Sequence, residues 1–209
     1  MKSRPTVIVL AAGKGSRFKG STHKLQQSLG ETSVLARTLR NAIESHLPVA
    51  VVTTQALAPA AAQLVASRDV VVVPEAPGAY GMGHSIAAGV GARADAPGWL
   101  LLPGDMPMVR PATLLAVAAA LEHHAVAYAQ YRGRRGHPVG FSAELYSELI
   151  RLSGDEGARR IVARYPAVAV DVEDAGVLVD LDTEADLEAV RALEWREGPR
   201  PSGDAANTG

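Results

Sequence analysis

Short β-branched runs alternate along the chain with Ala- and Leu-rich stretches of helical period. That alternation predicts an α/β protein of three layers, a doubly wound and mostly parallel sheet with helices on both faces. Strands are predicted at residues 7–10, 49–53, 70–73, 99–102, 126–131, 168–171 and 177–181. The first four are continuous apolar runs rather than alternating ones, the pattern of strands buried on both sides. Helices are predicted at 34–44, 59–66, 84–91, 111–123, 143–152, 157–163 and 184–194. Pro111 suits a first helical position, where its missing N–H costs nothing, and Thr183 with Asp186 makes a capping box.

The chain has 209 residues, which fits one compact domain, placed at residues 1–197. Residues 198–209 hold almost nothing apolar to bury and are expected to form a disordered tail. No internal repeat is visible. The run 7–12 after Lys2 and Arg4 is at the lower limit of an export signal and leads directly into Lys14, Arg17 and Lys19, so a buried first strand explains it better. The run 114–121 is far too short to span a bilayer. A cytoplasmic location with no membrane association is the expectation.

There are no cysteines, which excludes a disulfide scaffold, Cys-bound zinc, iron–sulfur clusters and a thiolate nucleophile. The formal net charge is −1, which argues against a nucleic-acid partner, yet the charge is unevenly placed. Residues 1–30 hold six cations and no acid, whereas residues 170–198 hold ten acids against two arginines. An acid-free basic stretch points to an anionic partner at that end.

In an open α/β sheet, ligands bind at the carboxyl ends of strands near a topological switch point. The segment after the first strand reads Leu10-Ala11-Ala12-Gly13-Lys14-Gly15-Ser16-Arg17-Phe18-Lys19-Gly20-Ser21-Thr22-His23-Lys24. It lacks the third glycine of a dinucleotide fingerprint and the Lys that follows the second glycine of a P-loop. What remains is a small-residue loop rich in cations, able to cradle a triphosphate with backbone N–H groups while Arg17 and Lys24 neutralise the reacting phosphorus. Residues 10–16 are therefore the candidate nucleotide-binding loop. Asp105, in Pro103-Gly104-Asp105-Met106-Pro107, stands at the tip of a buried strand and belongs to the chemical class that holds magnesium. Asp180 and Asp182 share one face if residues 177–181 are a strand, and two such carboxylates repel unless a cation lies between them.

The run from Leu10 to Phe18 followed by Lys24 resembles the signature of the MobA-like NTP transferase superfamily, with the molybdenum-cofactor cytidylyltransferase group as the nearest likeness. It departs from that pattern in carrying Phe18 in place of Met and a Gly-Ser-Thr-His run before Lys24. The resemblance implies a nucleotide-diphospho-sugar-transferase-like, Rossmann-like fold and places a catalytic metal, Mg2+ or alternatively Mn2+, on Asp105. It puts a second metal contact on Asp180 or Asp182, leaves the choice between them open, and lines the nucleobase and ribose pocket with Gly81 and Ser85. The Gly136-His137-Pro138 and Gly154-Asp155-Glu156-Gly157-Ala158-Arg159 segments resemble the acceptor side, with Arg134, His137 and Arg159 as candidate contacts. What the resemblance implies is transfer of CMP from CTP, or of another nucleotide from its NTP, to a molybdopterin-type acceptor. A molybdoenzyme such as a xanthine dehydrogenase would be the downstream partner. Guanylyl transfer, sugar-nucleotidyl transfer and non-catalytic delivery of molybdopterin are the alternatives.

Overall fold

The computed structural model describes residues 4–13, 23–74, 81–155 and 157–196, with the side chains of 193–196 left out. A seven-stranded sheet forms the middle layer, in the order β5-β4-β1-β6-β8-β7-β9. Its strands are β1 (Thr6–Ala11), β4 (Val49–Thr53), β5 (Val70–Val72), β6 (Gly98–Pro103), β7 (Val126–Tyr131), β8 (Arg134–Ser142) and β9 (Ala167–Asp171). A small antiparallel pair, β2 (Ser28–Leu29) and β3 (Thr32–Ser33), lies outside it. β8 alone runs against the other six, so the sheet is mostly parallel.

β1 shows why the sheet is doubly wound. Val7, Val9 and Ala11 point to one face and Ile8 to the other, by the period of two that a pleated strand imposes. The first set packs with Leu35 and Leu39 of α1 (Val34–Glu44) and Leu114 and Val117 of α4 (Pro111–Ala120). Ile8 packs on the opposite face with Ile86 and Val90 of α3 (Met82–Gly91), Trp99 and Phe141. α3 lies very close to the sheet because Gly89 has no side chain: a Cβ there would stand 2.5 Å from Ile8 Cγ2. α1 buries Val34, Leu35, Thr38, Leu39 and Ala42, one continuous helical stripe, and Ser33 caps it by accepting from the Ala36 N–H at 3.2 Å.

The short helices α2 (Ala58–Ala61), α5 (Tyr146–Leu149) and α6 (Arg159–Arg164) and the longer α7 (Glu184–Arg196) complete the layers. Pro111 opens α4 as expected. Thr183 and Asp186 cap α7 reciprocally, Asp186 Oδ2 accepting from the Thr183 N–H at 2.7 Å and Thr183 Oγ1 from the Asp186 N–H at 3.2 Å. Among the described residues no helix is long and apolar enough to cross a membrane. The tail expected at 198–209 lies outside the described residues.

The helices expected at 59–66 and 143–152 are shorter than expected, at Ala58–Ala61 and Tyr146–Leu149, and two further elements differ from the sequence-based expectation. Residues 177–181 are no strand. A 3-10 turn at Ala175–Leu178 replaces it, because the buried Asp174 carboxylate accepts from the Gly176 N–H at 3.0 Å and winds the chain there. Conversely, Arg134–Ser142 form a nine-residue strand, β8, where no strand is predicted because Gly133, Gly136 and Pro138 punctuate residues 132–138 like a turn. It tolerates Pro138 because its pairing with β7 shifts register between Tyr128 and Gln130, so this stretch of the ladder needs no donor from the proline.

Candidate functional site

After β1 the chain adds β4 and β5 on one side, then crosses to β6 on the other, so the switch point lies between the carboxyl ends of β1 and β6. The turn following β6 is fastened from three directions. The Gly104 N–H donates to the Leu10 carbonyl at 2.8 Å. The buried Thr38 hydroxyl of α1 donates to the Gly104 carbonyl at 2.9 Å. The Leu181 N–H donates to the Asp105 carbonyl at 3.0 Å. Asn41 adds donation to the carbonyls of Pro107 and Val109 at 2.8 and 3.0 Å. Asp105 is thus aimed by its backbone, with little dependence on its own side chain.

Three of the candidate residues meet there. The Lys24 ammonium lies 2.6 Å from Asp105 Oδ2 and 3.0 Å from Asp182 Oδ1. Lys24 is 14% exposed, Asp105 16% and Asp182 22%, so the cluster is shielded on most sides yet open to a ligand. Burial works against the charged ammonium, but attraction and hydrogen bonding to Asp105 and then Asp182 outweigh it, and the Lys24 pKa is raised. Asp182 is held in turn by its own N–H, which donates to Asp186 Oδ2 at 3.2 Å. Asp180 is exposed, and with no strand at 177–181 the shared face expected of Asp180 and Asp182 does not form. It is Asp182 that reaches the cluster.

Lys24 is itself positioned by a residue the sequence reading passed over. His23 Nδ1 accepts from the Leu25 N–H at 3.2 Å, which leaves Nε2 as the protonated nitrogen, donating to the Gly13 carbonyl at 2.9 Å. The imidazole therefore ties the two ends of the Gly-rich loop together and starts the 3-10 turn Lys24–Gln26. A lone His after Gly-Ser-Thr carries no sequence signal for such a latch. Of the loop itself, Leu10, Ala11, Ala12 and Gly13 lie at the end of β1 as expected, while Lys14, Gly15, Ser16 and Arg17 lie outside the described residues.

The remaining candidates lie at the start of α3, on β8 and at the start of α6. Gly81 has a φ of +125°, and a Cβ there would collide with the Gly154 backbone. The Gly154 loop is docked on the start of α3 by Gly83 N–H donation to the Gly154 carbonyl at 2.8 Å and by His84 Nδ1, which accepts from the Gly154 N–H at 3.1 Å. The segments expected to bind nucleobase and acceptor therefore adjoin. The Ser85 hydroxyl turns back to the Gly81 carbonyl at 3.4 Å. Continuing the antiparallel register of β6 and β8 beyond Leu101–Val139 brings His137 level with the carboxyl end of β6. Its Nδ1 is buried with no hydrogen-bond partner among the described residues. Burial lowers the His137 pKa, against the opposing pull of a Leu101 backbone bond and of Asp105. Arg134 and Arg159 are exposed at the mouths of β8 and α6, whereas neighbouring Arg135 lies over the Tyr128 ring at 4.8 Å. Neither Arg134 nor Arg159 joins the lysine–carboxylate cluster.

An open α/β sheet that gathers a lysine and two carboxylates at its switch point is suited to bind a phosphorylated ligand and a divalent ion there, the site of a nucleotide-handling protein. The chain belongs to the MobA-like NTP transferase family, whose model matches residues 7–169. It is 35% identical over 150 residues to the bifunctional protein GlmU of Cereibacter sphaeroides, covering 67% of this chain and 32% of that one. The chain thus spans about a third of that relative's length. Among solved structures, a Mycobacterium sp. strain JC1 homologue of Mycobacterium tuberculosis Rv0371c superposes with a TM-score of 0.80 at 28% identity, covering 95% of this chain and all of that one. Rv0371c in complex with manganese, from Mycobacterium tuberculosis H37Rv, superposes with a TM-score of 0.71 at 30% identity, covering 91% of this chain and 99% of that one.

Proposed function

We propose that the protein transfers CMP from CTP to the phosphate of a molybdopterin-type acceptor and releases pyrophosphate. The observation that carries this reading is the Lys24–Asp105–Asp182 cluster at the switch point. An acceptor phosphate oxygen attacks the α-phosphorus in line; a new P–O bond forms as the bond to the β-phosphate breaks, and pyrophosphate leaves with the electron pair. A phosphate acceptor is already ionised at neutral pH, so no general base is required. Lys24 neutralises charge at the α-phosphorus, and the loop from Leu10 to Ser16, with Arg17, holds the triphosphate. Gly81 and Ser85 border the base and ribose, and Arg134, His137 and Arg159 face the acceptor's anionic groups.

Asp105 and Asp182 fit a divalent ion: both already converge on one cation, and two carboxylates completed by phosphates and water is the donor set magnesium prefers. When bound, Mg2+ or Mn2+ would supply charge neutralisation along the phosphates. The manganese complex of the mycobacterial relative supports a divalent ion in this family.

The similarity to GlmU favours a second reading, in which the acceptor is a sugar 1-phosphate. Pyrophosphate release with CTP, GTP and UTP, each offered molybdopterin or a sugar 1-phosphate, separates the two. Release with CTP and molybdopterin alone supports the proposal; release only with a sugar phosphate selects the second. Absence of release with every pair would point to a molybdopterin-binding accessory protein without catalysis.

A further inference from the structure

Two carboxylates drawn together repel each other, and here the positive charge between them comes from the protein. The Lys24 ammonium contacts both Asp105 and Asp182, at 2.6 and 3.0 Å, in a cluster less than a quarter exposed. Any divalent ion using the same two oxygens must displace that ammonium or bind beside it against charge repulsion.

We infer that Lys24 is a resident counter-ion that bars bare metal from the Asp105–Asp182 pair and gives way when a polyphosphate offers it another anionic partner. The inference rests on reading that pair as the metal-holding carboxylates. Lys24 is anchored at its backbone by the 3-10 turn that His23 caps, while four methylenes leave its ammonium free to change partners without moving the chain. The residue before it, His23, bonds to the Gly13 carbonyl at 2.9 Å, so the carboxyl end of β1 adjoins Lys24 and an anion bound there would offer the ammonium its other partner. Metal and nucleotide then bind with positive coupling. By reciprocity, each strengthens the other, because the ammonium released by one partner stabilises the other. The arrangement also protects the carboxylates from being occupied by free divalent ions that bring no substrate.

The test is Mn2+ binding without nucleotide, followed by loss of the free-ion EPR signal, in wild type, Lys24→Met and Lys24→Arg. Removing the competing charge should tighten Mn2+ binding by about tenfold or more in Lys24→Met, whereas Lys24→Arg, which keeps the charge, should bind as weakly as wild type. Adding Asp105→Asn to Lys24→Met should abolish the gain. The thermal midpoint should follow, Mn2+ raising Tm more in Lys24→Met than in wild type. Lys24→Gln replaces Lys24→Met should the latter not fold. Equal or weaker Mn2+ binding in both neutral variants overturns the inference, as does a gain that survives Asp105→Asn. Because no nucleotide is present, this outcome is independent of whether CTP and molybdopterin turn out to be substrates.

Discussion

Asp182→Asn and Asp180→Asn, two residues apart, should have very different consequences. Asp182 takes part in the cluster, its Oδ1 lying 3.0 Å from the Lys24 ammonium, whereas Asp180 is exposed. Replacing Asp182 with Asn keeps the shape and a weaker acceptor but removes one of the two negative charges facing Lys24. The lost ion pair is partly solvated, so its cost to folding is about 1 kcal/mol. That corresponds to a fall in Tm of about 2–4 °C for a chain of this size. The effect on turnover is larger, because a preorganised charge at the reacting centre is worth roughly 10²–10³-fold. Asp180→Asn should leave Tm unchanged and turnover within about threefold of wild type, as for surface substitutions generally. The assay is pyrophosphate release at saturating nucleotide across a series of metal concentrations, with thermal unfolding on the same samples. If Asp180→Asn loses as much activity as Asp182→Asn, the account of which carboxylate serves the site is wrong.

Other consequences follow from the same geometry. Removing the latch with His23→Ala should weaken nucleotide binding about tenfold, measured by calorimetry, with little change in Tm, since the residue is only half-buried and stands outside the apolar core. Thr38→Val strands the Gly104 carbonyl in a buried position, at about 1–3 kcal/mol, and should lower Tm by several degrees and turnover with it. His137 has a lowered pKa because of its burial, so the unfolded chain binds its proton more readily than the folded one. Its contribution to stability is present above the unfolded value near 6.5 and is lost as the pH falls below it. Wild type should therefore lose more Tm between pH 7 and 5 than His137→Gln; parallel curves would refute the assignment.

Much of the layering could be read from periodicity. The helix at 34–44 and the strands at 49–53 and 126–131 match their predicted limits, because each buries one stripe or one run of apolar residues. β8 could not be read, since its glycines and proline signal a turn and its partners, β6 and β7, supply the order. The run 177–181 is apolar enough for a strand, yet the cap that Asp174 provides winds its start into the 3-10 turn Ala175–Leu178. In the site, Lys24 and Asp105 stand 81 residues apart, so their meeting depends on the switch-point topology and is invisible in local spacing. Period-two spacing made Asp180 and Asp182 equivalent, and only the 3-10 turn at Ala175–Leu178 in place of the strand separates them. Thr38 and Asn41, which hold the 104–109 turn, read in the sequence as ordinary residues of an amphipathic helix.

The most direct measurement is pyrophosphate release from CTP by wild type and Asp105→Asn, with molybdopterin present or withheld and Mg2+ varied. The account predicts release that requires both molybdopterin and Mg2+ and falls at least about a hundredfold in Asp105→Asn, with the fold retained. Release by Asp105→Asn at the wild-type rate, or none from any nucleotide with any phosphate acceptor, would contradict it.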